Sequence, residues 1–188
     1  MSESQRPQVT GLVFRGYVAS VERRSFLPAL RERVQPATRE LIEKPPFPLL
    51  WVESAVVEDI FATIAALRGR DEVRLVVRAA ADAVVGPALK SMLKSTMNLF
   101  GGSPAALFQQ MQALCATMVR HTEFRWQPTG EKSGEMNVIH LVAVADAAYA
   151  AWEGTFESVL GAARATGKVG RARLAPDGLS GVVTITWE

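Results

Sequence analysis

The 188-residue sequence is 48% hydrophobic and 21% charged, the balance of a chain that folds around a core rather than of a disordered or fibrous one. Its formal charge of +2 comes from arginines spread along the chain; the densest group, Arg23, Arg24, Arg31 and Arg33, reads as a solvated helix face, whereas a nucleic-acid surface would gather its Lys and Arg into a stripe. The one cysteine, Cys115, excludes an intrachain disulfide and a thiolate metal cluster, and the polar start Met1 to Pro7 lacks the apolar run of a signal peptide, so a reducing, cytoplasmic setting is expected.

The length suits one domain spanning 1–188, with 1–8 expected as a flexible N-terminus. Between Val9 and Val21 the apolar residues are punctuated by Gly11 and Gly16, and strand and helix both stay open. From Ser25, read as an N-cap, Phe26, Leu30, Val34, Ala37 and Leu41 step by three and four, which predicts a helix ending near Lys44, where Pro45-Pro46-Phe47-Pro48 cannot continue it. Ser54 to Arg68 carries Val57, Ile60, Phe61, Ile64 and Leu67 on one face and stops at Gly69. Asp71 then caps a helix with Val73, Val76, Val77, Ala80 and Val84, closed by Gly86-Pro87, and a further helix follows with Leu89, Leu93, Met97 and Phe100 on its face.

Ser103-Pro104 is the clearest local signal, an N-cap serine before a proline at the first helical position, and the helix it opens should carry Leu107, Met111, Leu114, Cys115 and Met118 to about His121. The uncharged stretch from Ser95 to Val119 is long enough to cross a bilayer. Gly101-Gly102-Ser103-Pro104 interrupts it, however, and Asn98, Gln109, Gln110 and Gln112 are costly in hydrocarbon; two helices in a core or at a subunit interface are expected instead.

Beyond His121 the period changes to alternation. Phe124 and Trp126 alternate with polar residues, Pro128 to Gly134 is a turn, and Met136 to Val144 forms the second arm of a hairpin. Asp146 caps a helix bearing Tyr149, Trp152, Phe156, Val159 and Leu160 and ending near Gly167, and Val169 to Leu174 pairs with Val182 to Trp187 across Ala175-Pro176-Asp177-Gly178. The expected class is α+β: N-terminal helices followed by a mainly antiparallel β-β-α-β-β unit.

Candidate chemistry is sparse. His121 and Glu123 spell the H-x-E that opens a zinc-deaminase signature, but no P-C-x-x-C follows, and His121 is better read as a helix-terminal imidazole. His140 shares a strand face with Val138 and Val142 and reads as a structural histidine; nothing supplies the three ligands of a transition-metal site. No G-x-S-x-G elbow is present, and Cys115 sits among apolar neighbours as a small buried hydrophobe. Gly101 to Pro104 resembles an anion-binding helix start but lacks G-K-[ST] and reads as a connection. Trp126, Trp152, Phe156 and Trp187, with Met92, Met97, Met111 and Met118, fit a core, and they also fit the lining of an apolar pocket or a dimer face.

Gly86-Pro87-Ala88-Leu89, Phe100-Gly101-Gly102-Ser103-Pro104-Ala105-Ala106-Leu107-Phe108, Trp152-Glu153-Gly154-Thr155-Phe156 and the terminal Val183-Thr184-Ile185-Thr186-Trp187 resemble an uncharacterised family of myxobacterial paralogues. More distantly, the layout is similar to haem-nitric-oxide-binding and vinyl-reductase-type domains, over roughly Gly86 to Glu188. The resemblance implies helices followed by an antiparallel sheet, enclosing a small or lipid-like ligand or mediating dimerisation. It does not imply haem: those relatives use an axial histidine and a Tyr-x-Ser-x-Arg contact, and neither Tyr17 nor Tyr149 begins such a motif. The cysteine cluster of some vinyl-reductase-type domains is missing as well.

The resulting expectation is a non-enzymatic regulatory or sensory module, a homodimer that binds a small apolar ligand. Met97, Phe100, Met111, Cys115, Met118, Trp126, Trp152 and Phe156 are its pocket or interface candidates, with no metal, cofactor, nucleic acid or membrane span expected. The alternative is an interaction or scaffold subunit that uses the Ser95 to Val119 surface and binds no ligand. A metal-dependent enzyme comes third and would require His121, Glu123 and His140 to converge in a polar cleft.

Overall fold

The computed structural model describes residues 6–83 and 103–188. The helix expected after Pro87, with Met92, Met97 and Phe100, and the Gly101-Gly102 connection lie outside the described residues.

The open segment near the N-terminus resolves into both alternatives. β1 (Gln8–Thr10) begins inside the stretch expected to be a flexible tail and passes directly into α1 (Gly11–Arg23), which buries Phe14 and Val21. The single helix expected from Ser25 to Lys44 is two, α2 (Leu27–Arg33) and α3 (Pro36–Glu43), because Pro36 cannot donate to the preceding turn and starts a new helix instead. Ser25 does not cap α2; it turns the chain at φ 62°, and Phe26 occupies the N-cap position. β2 (Trp51–Glu53) pairs antiparallel with β1 and leads into α4 (Ser54–Arg68), which buries Val57, Ile60, Phe61 and Ile64 and ends at Gly69 with φ 91°, as its sequence indicates. The chain is helical again over 70–83, termed α5, with Val73, Val76, Val77 and Ala80 buried; Asp71 lies inside this helix rather than ahead of it.

Ser103 caps α6 (Pro104–Gln109), its Oγ accepting from the Ala106 amide at 3.3 Å. The helix does not run on to His121. It breaks at Gln110, resumes as α7 (Met111–Cys115), and gives way to β3 (Val119–Arg120), which pairs with β1 to complete a three-stranded sheet ordered β2-β1-β3. The Thr10 amide donates to the Met118 carbonyl at 2.9 Å. A backbone partner from the far end of the domain thus claims residues whose local spacing is helical. His121 follows in the left-handed region at φ 58°, donating from Nδ1 to the Arg6 carbonyl at 2.7 Å, so it is a kink between strands and not a helix end.

The C-terminal half is the expected α+β unit. β4 (Thr122–Gly130) and β5 (Ser133–His140) form the hairpin, and β5 stops at His140 rather than at Val144. After α8 (Asp146–Ala162) come β6 (Gly167–Val169), β7 (Arg173–Leu174) and β8 (Ser180–Trp187), all antiparallel, in the order β4-β5-β8-β6 with β7 also on β8. Met136, Val138, Val183 and Ile185 face inward and, with Phe156 and Tyr149 of α8 and Leu107 and Phe108 of α6, make the core of this half. A second core joins α1, α2, α4 and α5 and reaches Ala150 and Ala151 of α8, so α8 is common to both.

Candidate functional site

The two faces of α8 meet the helical half in opposite ways. On one face Glu153, fully buried, accepts two hydrogen bonds from Arg70, Nη1 to Oε2 at 2.8 Å and Nη2 to Oε1 at 2.6 Å, and one from the Ala172 amide at 2.7 Å. Arg70 also reaches Asp146, which is shared with Arg171, and Arg74 binds Glu157 and the Val169 carbonyl. Asp146 therefore serves this ionic seam, and no side-chain cap bond forms at the start of α8. Gly154 lies so close to α5 that a Cβ would overlap the Arg74 carbonyl oxygen.

The other face leaves a cleft. β1 contributes Val9, with Pro7 just before it; α1 contributes Tyr17; and α4 contributes Ser54, Val57, Glu58 and Phe61. Val119 of β3, Thr122 of β4 and His140 and Val144 at the end of β5 close one side, and Ala148, Ala151, Trp152 and Thr155 of α8 close the other. About 500 Å³ of empty space extends to the open mouth, of which about 50 Å³ is wide enough to seat water-sized molecules. One water needs roughly 10–15 Å³ on that measure, so the cleft has room for a few small-molecule atoms.

The walls are mostly apolar, and the polar groups on them are incompletely satisfied. His140 is 5% exposed; its Nδ1 lies 3.3 Å from Thr122 Oγ1, and its Nε2 is buried with no partner. Burial holds the imidazole neutral, with its pKa pushed down to about 4. The Ser54 hydroxyl is also buried without a well-formed hydrogen bond. Beside it, burial raises the Glu58 carboxyl above the usual range, with Ser54 pulling the other way. Burial likewise raises the Tyr17 phenol.

Among the described sequence candidates, Trp152 lines this cleft. Met111, Cys115 and Phe156 are buried in the sheet–helix core, where Phe156 meets Phe108 edge-on and the Cys115 thiol is pushed up to about 12 by burial. Met118 and Trp126 are partly exposed, Trp126 stacking on Phe108 at 5.0 Å. Met97 and Phe100 lie outside the described residues. The three groups of an enzymatic reading do not converge. His121 and Glu123 are exposed, Glu123 paired with Arg125, while His140 faces inward, and the described residues contain no group of three metal-binding side chains. Sequence reasoning missed Tyr17, Ser54 and Glu58, because only tertiary packing brings α1 and α4 against the end of β5. For His140 the alternation with Val138 was the available signal.

No family model and no curated protein matches the sequence. Solved structures do match, over nearly the whole chain. An unliganded Fe(II) H-NOX protein from K. algicida superposes with a TM-score of 0.69 at 9% identity, covering 95% of this chain and 96% of that one. The chain has the H-NOX fold. A Tt H-NOX double variant matches at 0.64 with 13% identity, and an oxygen-binding H-NOX domain related to soluble guanylate cyclases at 0.57 with 14%, each over 95% of both chains. The similarity thus reaches well N-terminal of the Gly86 at which the sequence resemblance begins.

The H-NOX fold implies haem, and the residues around this cleft do not fit it. Among the described residues no Lys or Arg lines the cleft to meet propionates, and Glu58 stands there instead. The cleft as it stands, with about 50 Å³ for water-sized molecules, is too small for a macrocycle. Of the two histidines in the sequence, His121 is exposed and outside the cleft, committed through Nδ1 to the Arg6 carbonyl.

Proposed function

We propose that this chain is a non-enzymatic regulatory or sensory module that binds a small, mainly apolar ligand in the cleft between α4 and α8. The observation that carries this reading is the cleft itself, with apolar walls and one buried polar atom, His140 Nε2, left unpartnered beside it. Pockets of this kind, apolar with a few convergent polar groups, are the usual form of a small-molecule site. The H-NOX fold and the resemblance to vinyl-reductase-type domains support a sensory role without specifying the ligand. A cytoplasmic location and a homodimer complete the reading. Among the described residues no helix is long and apolar enough to cross a membrane.

Native mass spectrometry of untagged protein, compared with the denatured mass, tests the proposal. An extra non-covalent mass is expected in wild type and absent from Ala148→Phe, which fills the cleft from a partly exposed position. Equal ligand-free masses for both proteins, with no shift in melting temperature from any apolar ligand tried, would refute it.

A second reading, an interaction module, is favoured by a different surface from the one its sequence suggests. The described part of Ser95 to Val119 buries Leu107, Phe108, Met111 and Leu114 in the core, so it offers no large apolar face. Phe47, Leu49 and Leu50, by contrast, are 76%, 85% and 54% exposed in one loop. Light scattering of Phe47→Ser/Leu49→Ser against wild type tests whether this loop holds the expected dimer.

A further inference from the structure

A buried polar atom without a partner normally destabilises the structure, so its presence beside an apolar cleft calls for an explanation. His140 Nδ1 is engaged by Thr122, which leaves Nε2 as the free hydrogen-bonding position of a ring that is 5% exposed. The ring packs edge-on against Tyr149 at 5.7 Å between centroids, which fixes its orientation. Around it the cleft presents Val57, Phe61, Val144 and Trp152.

We infer that His140 Nε2 is the polar anchor of the cleft, and that the ligand is a small neutral molecule with an apolar body and a hydroxyl group bonded to this nitrogen. The inference rests on the ligand-binding reading above. A hydroxyl fits because the Thr122 side chain can donate to or accept from Nδ1, so Nε2 is an acceptor in one tautomer and a donor in the other; a hydroxyl serves both. An anionic headgroup is disfavoured, since among the described lining residues the carboxyl of Glu58 is present and no Lys or Arg is. The small volume of the cleft limits the buried portion of the ligand to a few heavy atoms. The neutral imidazole, held so by burial, agrees with an uncharged partner.

Phenol and toluene, which differ by a hydroxyl against a methyl, serve as probes of the full chain. Wild type should bind both, with the His140 Nε2 resonance in histidine-¹⁵N-labelled protein moving on addition of phenol and not of toluene. His140→Phe should lower the phenol-to-toluene affinity ratio about five-fold, the loss of one hydrogen bond. Should this variant not fold, the wild-type nitrogen shifts decide alone. An unchanged ratio, or a His140 signal indifferent to phenol while both probes bind, would overturn the anchor and leave the cleft reading standing. If neither probe binds, the cleft reading falls and the anchor with it. Displacement of bound phenol by hemin would overturn the ligand class.

Discussion

The two faces of α8 meet the helical half with opposite chemistry. Toward α5 every polar atom of Glu153 is used, in charge-assisted bonds to Arg70 and a bond to the Ala172 amide, and Gly154 lets the helices touch backbone to backbone. Toward α4 the helix offers Ala148, Ala151, Trp152 and Thr155 to a space that is not filled. One face is closed by design of the sequence, and the other is held open by it. The ionic seam and the cleft thus lie on different faces of one helix, which also packs Ala150 and Ala151 into the core shared with α4.

Removing the seam should have the largest effect. Glu153→Ala leaves Arg70 with Asp146 alone beside a buried hole, and urea denaturation should show a loss of about 3 kcal/mol, whereas Glu153→Gln, which keeps the shape, should lose less. A loss below 1 kcal/mol for Glu153→Ala would mean that the seam does not hold the halves together. Next, one methyl at Gly154 must displace the α5 backbone, and Gly154→Ala should cost at least about 2 kcal/mol.

A third test uses acidity to read the open face. In the folded state His140 titrates near 4, against about 6.5 when unfolded, so between these values the unfolded chain takes up a proton that the folded one refuses. Its contribution to stability should be complete above pH 6.5 and fall by about 2 kcal/mol by pH 5. Glu58, raised by burial on the facing wall, works in the opposite direction and offsets part of the loss at the acid end. Chemical denaturation at pH 7 and pH 5 checks the difference, which should flatten in His140→Phe. The smallest effect is expected where space already exists: Ala148→Phe should alter stability by no more than about 0.5 kcal/mol, a far larger side chain tolerated where a single methyl at Gly154 is not.

Features specified by neighbouring residues were legible in the sequence. Ser103-Pro104 capped its helix, Gly69 ended α4, and the hairpin and the final turn lie where their alternation and turn residues put them. What escaped were features decided at a distance. Leu107 to Met118 has helical spacing throughout, yet Met118 and Val119 are drawn into pairing with β1. Glu153 looks like an ordinary charge between Trp152 and Gly154, and only the approach of α5 makes it a buried hub. The cleft was hidden for the same reason, since its walls come from β1, α1, α4, β3, β4, β5 and α8 together.

The small sheet β2-β1-β3 has a kinetic consequence. Its outer strands come from opposite sides of the chain's midpoint, and the Arg6 carbonyl and His121 ring that meet beside it are 115 residues apart. A growing polypeptide can complete the local pairing of β1 with β2 early, but the second edge of β1 stays bare until Val119 has left the ribosome. Since Val9 and Val119 both border the cleft, the cleft cannot be complete before Val119 has emerged, and a fragment that stops short of Val119 lacks one of its walls.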